Sequence, residues 1–211
     1  MSRIWTDHVI LAVEDLDTAA GALAEREGLA SVAGGRHPGW GTANRIVPLG
    51  ETYLELVTVV DAEEAKASGF GRAVLRAVDD ERPLVGWVVA TDDIEGLASR
   101  LDLEVERRSR DRPDGSTLSW RLAGMEVAMD TGAFPFFVEW DGGPEDHPGA
   151  AEVEHDAAPR GIAWIEVSAE EERLRDWLGD ADVPLRITEG DPAIHGAAIA
   201  TGVAELVLRN P

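Results

Sequence analysis

The sequence predicts an α+β protein made of repeated strand–helix–strand–strand–strand (βαβββ) units, and three observations carry that expectation. A strand pattern passes directly into a helix pattern at residues 6–23, the same junction returns near residue 90, and it appears again after residue 161. Recurrence of one supersecondary unit points to copies that pair or stack, each covering the apolar face of another.

The first junction is the clearest. Along a strand, side chains alternate between faces, so His8, Ile10 and Ala12 share one side while Val9, Leu11 and Val13 take the other. The second side is wholly apolar and suits a packed helix. That helix follows at once, with Asp15 as N-cap, Leu16, Ala20 and Leu23 at helical spacing, and Gly28 as its stop. The polar member of the opposite side is His8, which therefore looks into whatever space the sheet encloses. Strands are then expected at 30–33, ending in a Gly34-Gly35 turn, at 44–49, and at 52–59. In the last, Tyr53, Glu55 and Val57 oppose Leu54, Leu56 and Thr58.

Residues 61–82 place Phe70, Val74, Leu75 and Val78 three or four apart, which predicts one amphipathic connecting helix stopped by Pro83. The unit then repeats: a strand over 84–91, a helix capped by Asp93 and carrying Ile94, Leu97 and Leu101, and a strand over 103–107. A polar turn follows at 108–115, with strands at 116–122, 125–129 and 136–140. Residues 141–160, rich in Gly, Pro, Asp and Glu, are expected to be a linker in which His147 and His155 are solvated. The third unit has a strand over 161–167, a capping box of Ser168 and Glu171, and an apolar stripe of Leu174, Trp177 and Leu178 ended by Gly179. Its remaining strands fall at 185–187, 197–201 and 204–208, with His195 at a strand edge. The expected organisation is a domain over 1–141 (units 4–60 and 84–140), a linker over 142–160, and a third unit over 161–211.

With 211 residues the chain has ample length for a real core, whether as one large domain or two small ones. It holds 41 acidic against 19 basic residues, a net charge of -22, and Lys66 is its one lysine. A field of that sign repels phosphate backbones and argues against a nucleic-acid partner. It also fits a salt-adapted cytosol, although an arginine-rich, high-GC source explains the lysine shortage more plainly. There is no cysteine, which excludes disulfides, thiolate metal sites and a cysteine nucleophile. With no apolar run of membrane length and no basic-then-apolar start, the expectation is a cytoplasmic protein with no membrane partner.

The repeated unit, the opening Asp7-His8-Val9-Ile10-Leu11-Ala12-Val13-Glu14-Asp15-Leu16 and the closing Tyr53-Leu54-Glu55-Leu56 resemble the vicinal oxygen chelate superfamily. More narrowly, the stretch from Gly34-Gly35-Arg36-His37-Pro38-Gly39 to Trp40-Gly41-Thr42-Ala43-Asn44 resembles the signature loop of its glyoxalase-like domain family. The resemblance implies two units curled into a half-open cup, with metal ligands on the first and last strands of each unit. Carried over position by position, His8, Glu55 and Glu139 are the ligands, and the fourth position falls on Gly86, which has no side chain. One imidazole and two carboxylates suit a divalent ion such as Zn, Mn, Ni, Co or Fe, acting as a Lewis acid on neighbouring substrate oxygens. In glyoxalase-like chemistry a ligand glutamate also serves as base, and Glu139 is the choice for that catalytic role. His37, Trp40, Thr42 and Asn44 of the loop, with Trp140, are candidate small-molecule contacts.

Against this stands the blander reading that His8 is a hydrogen-bonded pocket residue and that Arg36, Arg45 or Arg121 pairs with the glutamates. Glu205 has Ile162 in place of a first-strand partner and reads as structural. Three functions follow. The first is a metal-dependent lyase, isomerase or transferase acting on a small oxygen-rich metabolite or electrophile. The second is a metal-free protein that sequesters a small aromatic or hydrophobic compound in the same cup, as bleomycin-resistance proteins do, supported by Gly86 and by Trp40, Trp87, Trp120, Phe136, Phe137 and Trp140. The third is a vestigial scaffold. An odd number of units also predicts a homodimer, or else an unusual packing of unit three against the cup.

Overall fold

In the computed structural model, which describes residues 3–112 and 115–211, the first two units form one eight-stranded sheet. Unit one contains β1 (Ile4–Ala12), α1 (Leu16–Glu27), β2 (Val32–His37), β3 (Thr42–Pro48) and β4 (Tyr53–Val59). Unit two contains β5 (Leu84–Thr91), α4 (Ile94–Leu101), β6 (Val105–Asp111), β7 (Thr117–Ala123) and β8 (Phe136–Trp140). Between the units lie α2 (Ala62–Ala67) and α3 (Gly69–Asp79), and α5 (Met125–Thr131) interrupts unit two. The strand order β2-β3-β4-β1-β5-β8-β7-β6 is two copies of one arrangement joined at the antiparallel β1–β5 seam. In each copy the first strand pairs in parallel with the last, β1 with β4 and β5 with β8.

The two outer edges of this sheet approach one another. At Gly35 of β2 an added β-carbon would sit 2.6 Å from the carbonyl oxygen of Asp111 on β6, so only a glycine allows that closeness. The sheet is consequently a nearly closed cup. One apolar cluster (Val9, Leu11, Leu54, Leu56, Trp87, Val89, Phe137) covers its outer face, and a second (Ile10, Val57, Val88, Leu118, Trp120, Leu122, Phe136, Val138) covers its inner face. The alternation read from β1 and β4 thus holds residue by residue. Phe70 and Val74 of α3, with Met125, Ala128 and Met129 of α5, join the inner cluster and fill part of the cup.

The third unit has β9 (Ile162–Ser168), α6 (Glu171–Leu178), β10 (Leu185–Thr188), β11 (Ala193–Ala200) and β12 (Glu205–Arg209). Its strand order, β10-β9-β11-β12, differs from the other units because the first strand pairs with the second and third and not with the last. Ile165, Val167, Leu174, Leu178, Ile194 and Ile199 join the outer-face cluster together with Ala20 of α1 and Ile94 and Leu97 of α4. Each such fully buried aliphatic side chain contributes about 1.5–3 kcal/mol. Trp177 Nε1 donates to the Pro135 carbonyl at 2.9 Å, and Asn210 pairs with both backbone groups of Leu84. The third unit therefore finds its partner within the chain, on the outside of the cup, which removes the reason for expecting a homodimer.

Several expected elements differ, each for a local reason. β2 continues past Gly34-Gly35 to His37 because the two glycines form a bulge in the register, after which Arg36 and His37 pair with Ala43 and Thr42 of β3. Ser68 splits the connecting helix by capping a new one, its Oγ accepting from Gly71 N at 2.9 Å. β6 extends to Asp111 where a polar turn was expected, and positions 113–114 of that turn lie outside the described residues. Residues 125–129, read as a strand, are helical: Met125, Ala128 and Met129 are buried at helical spacing. Ser168 makes no capping box, since its Oγ donates to the Asp191 carbonyl and α6 starts after Glu170. Among the described residues, no helix is long and apolar enough to cross a membrane.

Candidate functional site

His8 reaches the cup through an irregularity in β1. The register against β5 slips between Thr6 and His8, leaving Asp7 unpaired as the extra residue. Neighbouring strand residues ordinarily face opposite ways, but this slip lets the Asp7 carboxylate turn toward its neighbour. Asp7 Oδ1 meets His8 Nδ1 at 2.5 Å, and Oδ2 accepts from Trp140 Nε1 at 2.8 Å and His147 Nε2 at 3.1 Å. Burial alone would raise the Asp7 carboxyl; hydrogen bonds from His147 and His8, and their attraction, hold it far below the ordinary carboxylate range. An ionised Asp7 only accepts, so His8 Nδ1 carries the proton and its Nε2 is presented to the cup. The imidazole lies flat on Tyr53, with ring centroids 4.2 Å apart.

Glu55, from β4, stands opposite. Its side chain is buried, with Oε2 3.7 Å from His8 Nε2 and Oε1 3.6 Å from His37 Nε2. Oε1 also accepts from Asn44 Nδ2 at 2.5 Å. Asn44 is in turn fixed by the signature loop, because its Oδ1 accepts from Gly35 N at 2.9 Å. A β-carbon at Gly34 would fall 1.9 Å from that same oxygen, so the glycine is required for the asparagine to lie there. His37 is set by Thr42, whose Oγ1 is 3.0 Å from Nδ1. Burial lowers the pKa of His37 against the pull of Glu55, with Arg110 and His8 adding to the lowering. Burial, with Asp7 and Glu55 nearby, raises that of Tyr53 well above its usual value.

These groups share a cavity of about 420 Å3, mouth included, of which roughly 30 Å3 is wide enough for water-sized bodies. His8, His37, Trp40, Asn44, Glu55 and Trp140, all named from the sequence, line it together. Thr42 stands behind His37 as its support. Of the aromatic residues expected in the cup, Trp120 and Phe136 also line it, whereas Trp87 and Phe137 join the outer cluster. Asp7, Tyr53, Phe70 and Arg110 were not foreseen there. His147 is not solvated but inserted beside Asp7, and His155 bridges Ala30 N and the Pro48 carbonyl. His195 Nε2 lies 2.8 Å from Ser168 Oγ in the second sheet, and Glu205 accepts from Trp164 there.

Glu139 is not brought to this place. On β8, Phe136, Val138 and Trp140 line the cavity, so Phe137 and Glu139 face outward. Glu139 Oε2 accepts from Ile94 N at 2.8 Å at the start of α4, and Oε1 pairs with Arg121. The arginine pairing weighed from the sequence is what this glutamate does, and it serves neither as ligand nor as base in the cup.

The comparisons with known proteins agree with this architecture. A family profile described as "Glyoxalase-like domain" matches residues 6–181. The chain belongs to the glyoxalase-like domain family. The match spans both units of the cup and runs into the third. No curated protein sequence matches the chain. Among solved structures, a hypothetical protein from Staphylococcus aureus is similar over 95 % of this chain and 92 % of its own, with TM-score 0.75 and 17 % identity. Methylmalonyl-CoA epimerase from Mycobacterium tuberculosis matches 66 % of this chain and 89 % of its own, with TM-score 0.45 and 17 % identity. At these identities the likeness concerns the fold, which is that of the vicinal oxygen chelate superfamily.

That superfamily commonly holds a divalent metal, so the donor set of this glyoxalase-like cup is decisive. Of the four inherited positions, His8 and Glu55 carry donors that face inward. At Gly86 a β-carbon would meet Met129 Cε at 3.5 Å, and the inward residue of β8 beside Glu139 is Val138. His37 adds a nitrogen, but it faces the carboxylate oxygen already taken by Asn44. The guanidinium of Arg110 places a fixed positive charge on the same cavity. Among the described residues, no group of three or more His, Asp or Glu side chains is disposed to hold a metal ion. The residues present do not fit a resident divalent ion.

Proposed function

We propose that the cup binds a small oxygen-rich molecule and moves a proton on it without a resident metal, with Glu55 as the group that takes and returns the proton. The observation that carries this reading is the convergence of Glu55 Oε2, His8 Nε2 and His37 Nε2. Oε2 lies 3.7 Å from His8 Nε2, and His37 Nε2 lies 3.6 Å from the other carboxylate oxygen, Oε1; both separations are too long for hydrogen bonds, so Oε2 and the two ring nitrogens each keep a valence for a ligand atom. In the step proposed, a C–H bond beside a carbonyl breaks, its proton passes to Glu55 Oε2, and the electron pair moves onto the carbonyl oxygen. Return of the proton completes an isomerisation, and loss of a leaving group from the adjacent carbon completes a lyase reaction. Asn44 keeps Oε1 occupied and so fixes which oxygen faces the substrate, while Asp7 and Thr42 lock the two imidazoles.

Proton NMR in D2O tests this directly. The protein should exchange carbon-bound protons of pyruvate, 2-oxobutyrate or dihydroxyacetone faster than buffer, and Glu55→Gln should lower that rate by about 10²–10⁴-fold. Equal rates in Glu55→Gln and wild type would contradict it.

A second reading has its own support. Trp40, Phe70, Trp120, Phe136 and Trp140 present aromatic rings along the wall, which suits sequestration of a flat aromatic compound. Saturable binding of such a compound, with no proton exchange on any probe, would favour it.

A further inference from the structure

We propose that Arg110 is the anchor for a carboxylate group of the ligand, so that the cup selects small carboxylic acids over their neutral counterparts. The inference rests on the cup being a small-molecule site, but not on Glu55 moving a proton.

In a chain with 41 acidic residues, every other arginine on or beside β6 is paired. Arg107 meets Asp141 at 3.4 Å, Arg108 pairs with Glu106, and Arg112 meets Asp146 at 3.3 Å. On neighbouring β7, Arg121 bonds both Glu95 and Glu139. Arg110 is 7 % exposed, the most deeply buried of the series, and among the described residues it has neither a carboxylate within ion-pair distance nor a hydrogen bond from its guanidinium. Its nitrogens are nevertheless not sealed off, because they are absent from the fully shielded, unpartnered atoms, which are Thr6 Oγ1 and Arg108 Nε. They open onto space, since Arg110 lines both the cup and an adjoining cavity shared with Arg112, Asp146 and His147.

Burying an unpaired cation costs several kcal/mol, and a fold gains nothing from it. An arginine in such a place is suited to a planar, bidentate oxyanion that arrives with the ligand. Glu55 attracts Arg110 without coming within ion-pair distance of it. A carboxylate bound at Arg110 would therefore hold its adjoining carbon beside Glu55. Size and rim charge narrow the class further. The free interior is about 30 Å3, and Glu145 and Asp146 stand over the adjoining cavity, both unfavourable for nucleotides or other large polyanions.

Isothermal titration with pyruvate, pyruvamide and inorganic phosphate, on wild type, Arg110→Gln, Arg110→Lys and Glu55→Gln, tests the assignment. Pyruvate should bind wild type at least tenfold more tightly than pyruvamide. Arg110→Gln should lose that preference, and Arg110→Lys should retain part of it. Arg110→Gln should also melt at a higher temperature, because an uncompensated buried charge is gone. Glu55→Gln should keep pyruvate binding while losing proton exchange, which separates this inference from the proposed reaction. Unchanged pyruvate affinity in Arg110→Gln, equal affinity for pyruvamide, or a lower melting temperature with binding intact would overturn it. Phosphate binding more tightly than pyruvate would overturn the choice of a carboxylate.

Discussion

Asp7 and His8 are adjacent in a β-strand, yet Oδ1 of one and Nδ1 of the other lie 2.5 Å apart with both side chains buried. The β1 bulge makes this contact, and through it one carboxylate fixes the imidazole of the cup, the indole of Trp140 and the ring of His147.

Asp7→Asn should destabilise the protein by about 2–3 kcal/mol, since hydrogen bonds to a charged acceptor are lost. The folded pKa of Asp7 is depressed, so as pH falls the unfolded chain, with an ordinary value of about 3.9, takes up the proton first. Its contribution is therefore present at neutral pH and fades from about pH 5 downward. Urea midpoints for wild type and Asp7→Asn should differ at pH 7 and converge toward pH 3. A difference that stays constant would contradict the role given to Asp7.

Glu139→Gln should leave ligand binding and proton exchange as in wild type. It should cost about 0.5–1 kcal/mol of stability, through the weakened α4 start and the Arg121 pair. A loss of exchange comparable to that of Glu55→Gln would return Glu139 to the site.

Gly35→Ala should force β2 and β6 apart, because the new β-carbon meets the Asp111 carbonyl at 2.6 Å and Arg110 Nη1 at 3.3 Å. Overpacking of that kind costs about 1–3 kcal/mol, read as a lower urea midpoint, and should weaken pyruvate binding as well. Wild-type stability in the variant would mean that the edges are not in contact.

Elemental analysis of protein purified without chelator should find well under one equivalent of Zn, Mn, Ni, Co or Fe, with the same content in His8→Ala. One equivalent in wild type, lost in both His8→Ala and Glu55→Ala, would show that the donor set does suffice.

Strand alternation made much of this site legible. His8 and Glu55 stand opposite apolar neighbours, and the glycine-rich loop marked His37, Trp40, Thr42 and Asn44. Glu139 misled because treating it as the counterpart of Glu55 sets the two closing strands out of register, and an odd slip turns every side chain to the other face. β8 is apolar on both sides, with Phe136 and Val138 inward and Phe137 outward, so no polar alternation exposed the slip. Met125-Glu126-Val127 reads as alternation, although Met125, Ala128 and Met129 are equally a helical stripe. Arg110 sat in a segment whose polar composition suggests a turn, and only the closed cup reveals its burial. His147 was hidden in the same way by its Gly-Pro-Asp-rich surroundings.

The most direct test of the cup as the ligand site is a proton–carbon NMR spectrum of the ring Cε1–H signals of the five histidines, recorded while pyruvate is added. The account predicts saturable shifts at His8 and His37, with His155 and His195 unmoved. Binding that leaves His8 and His37 in place, or that moves only His155 or His195, would contradict it.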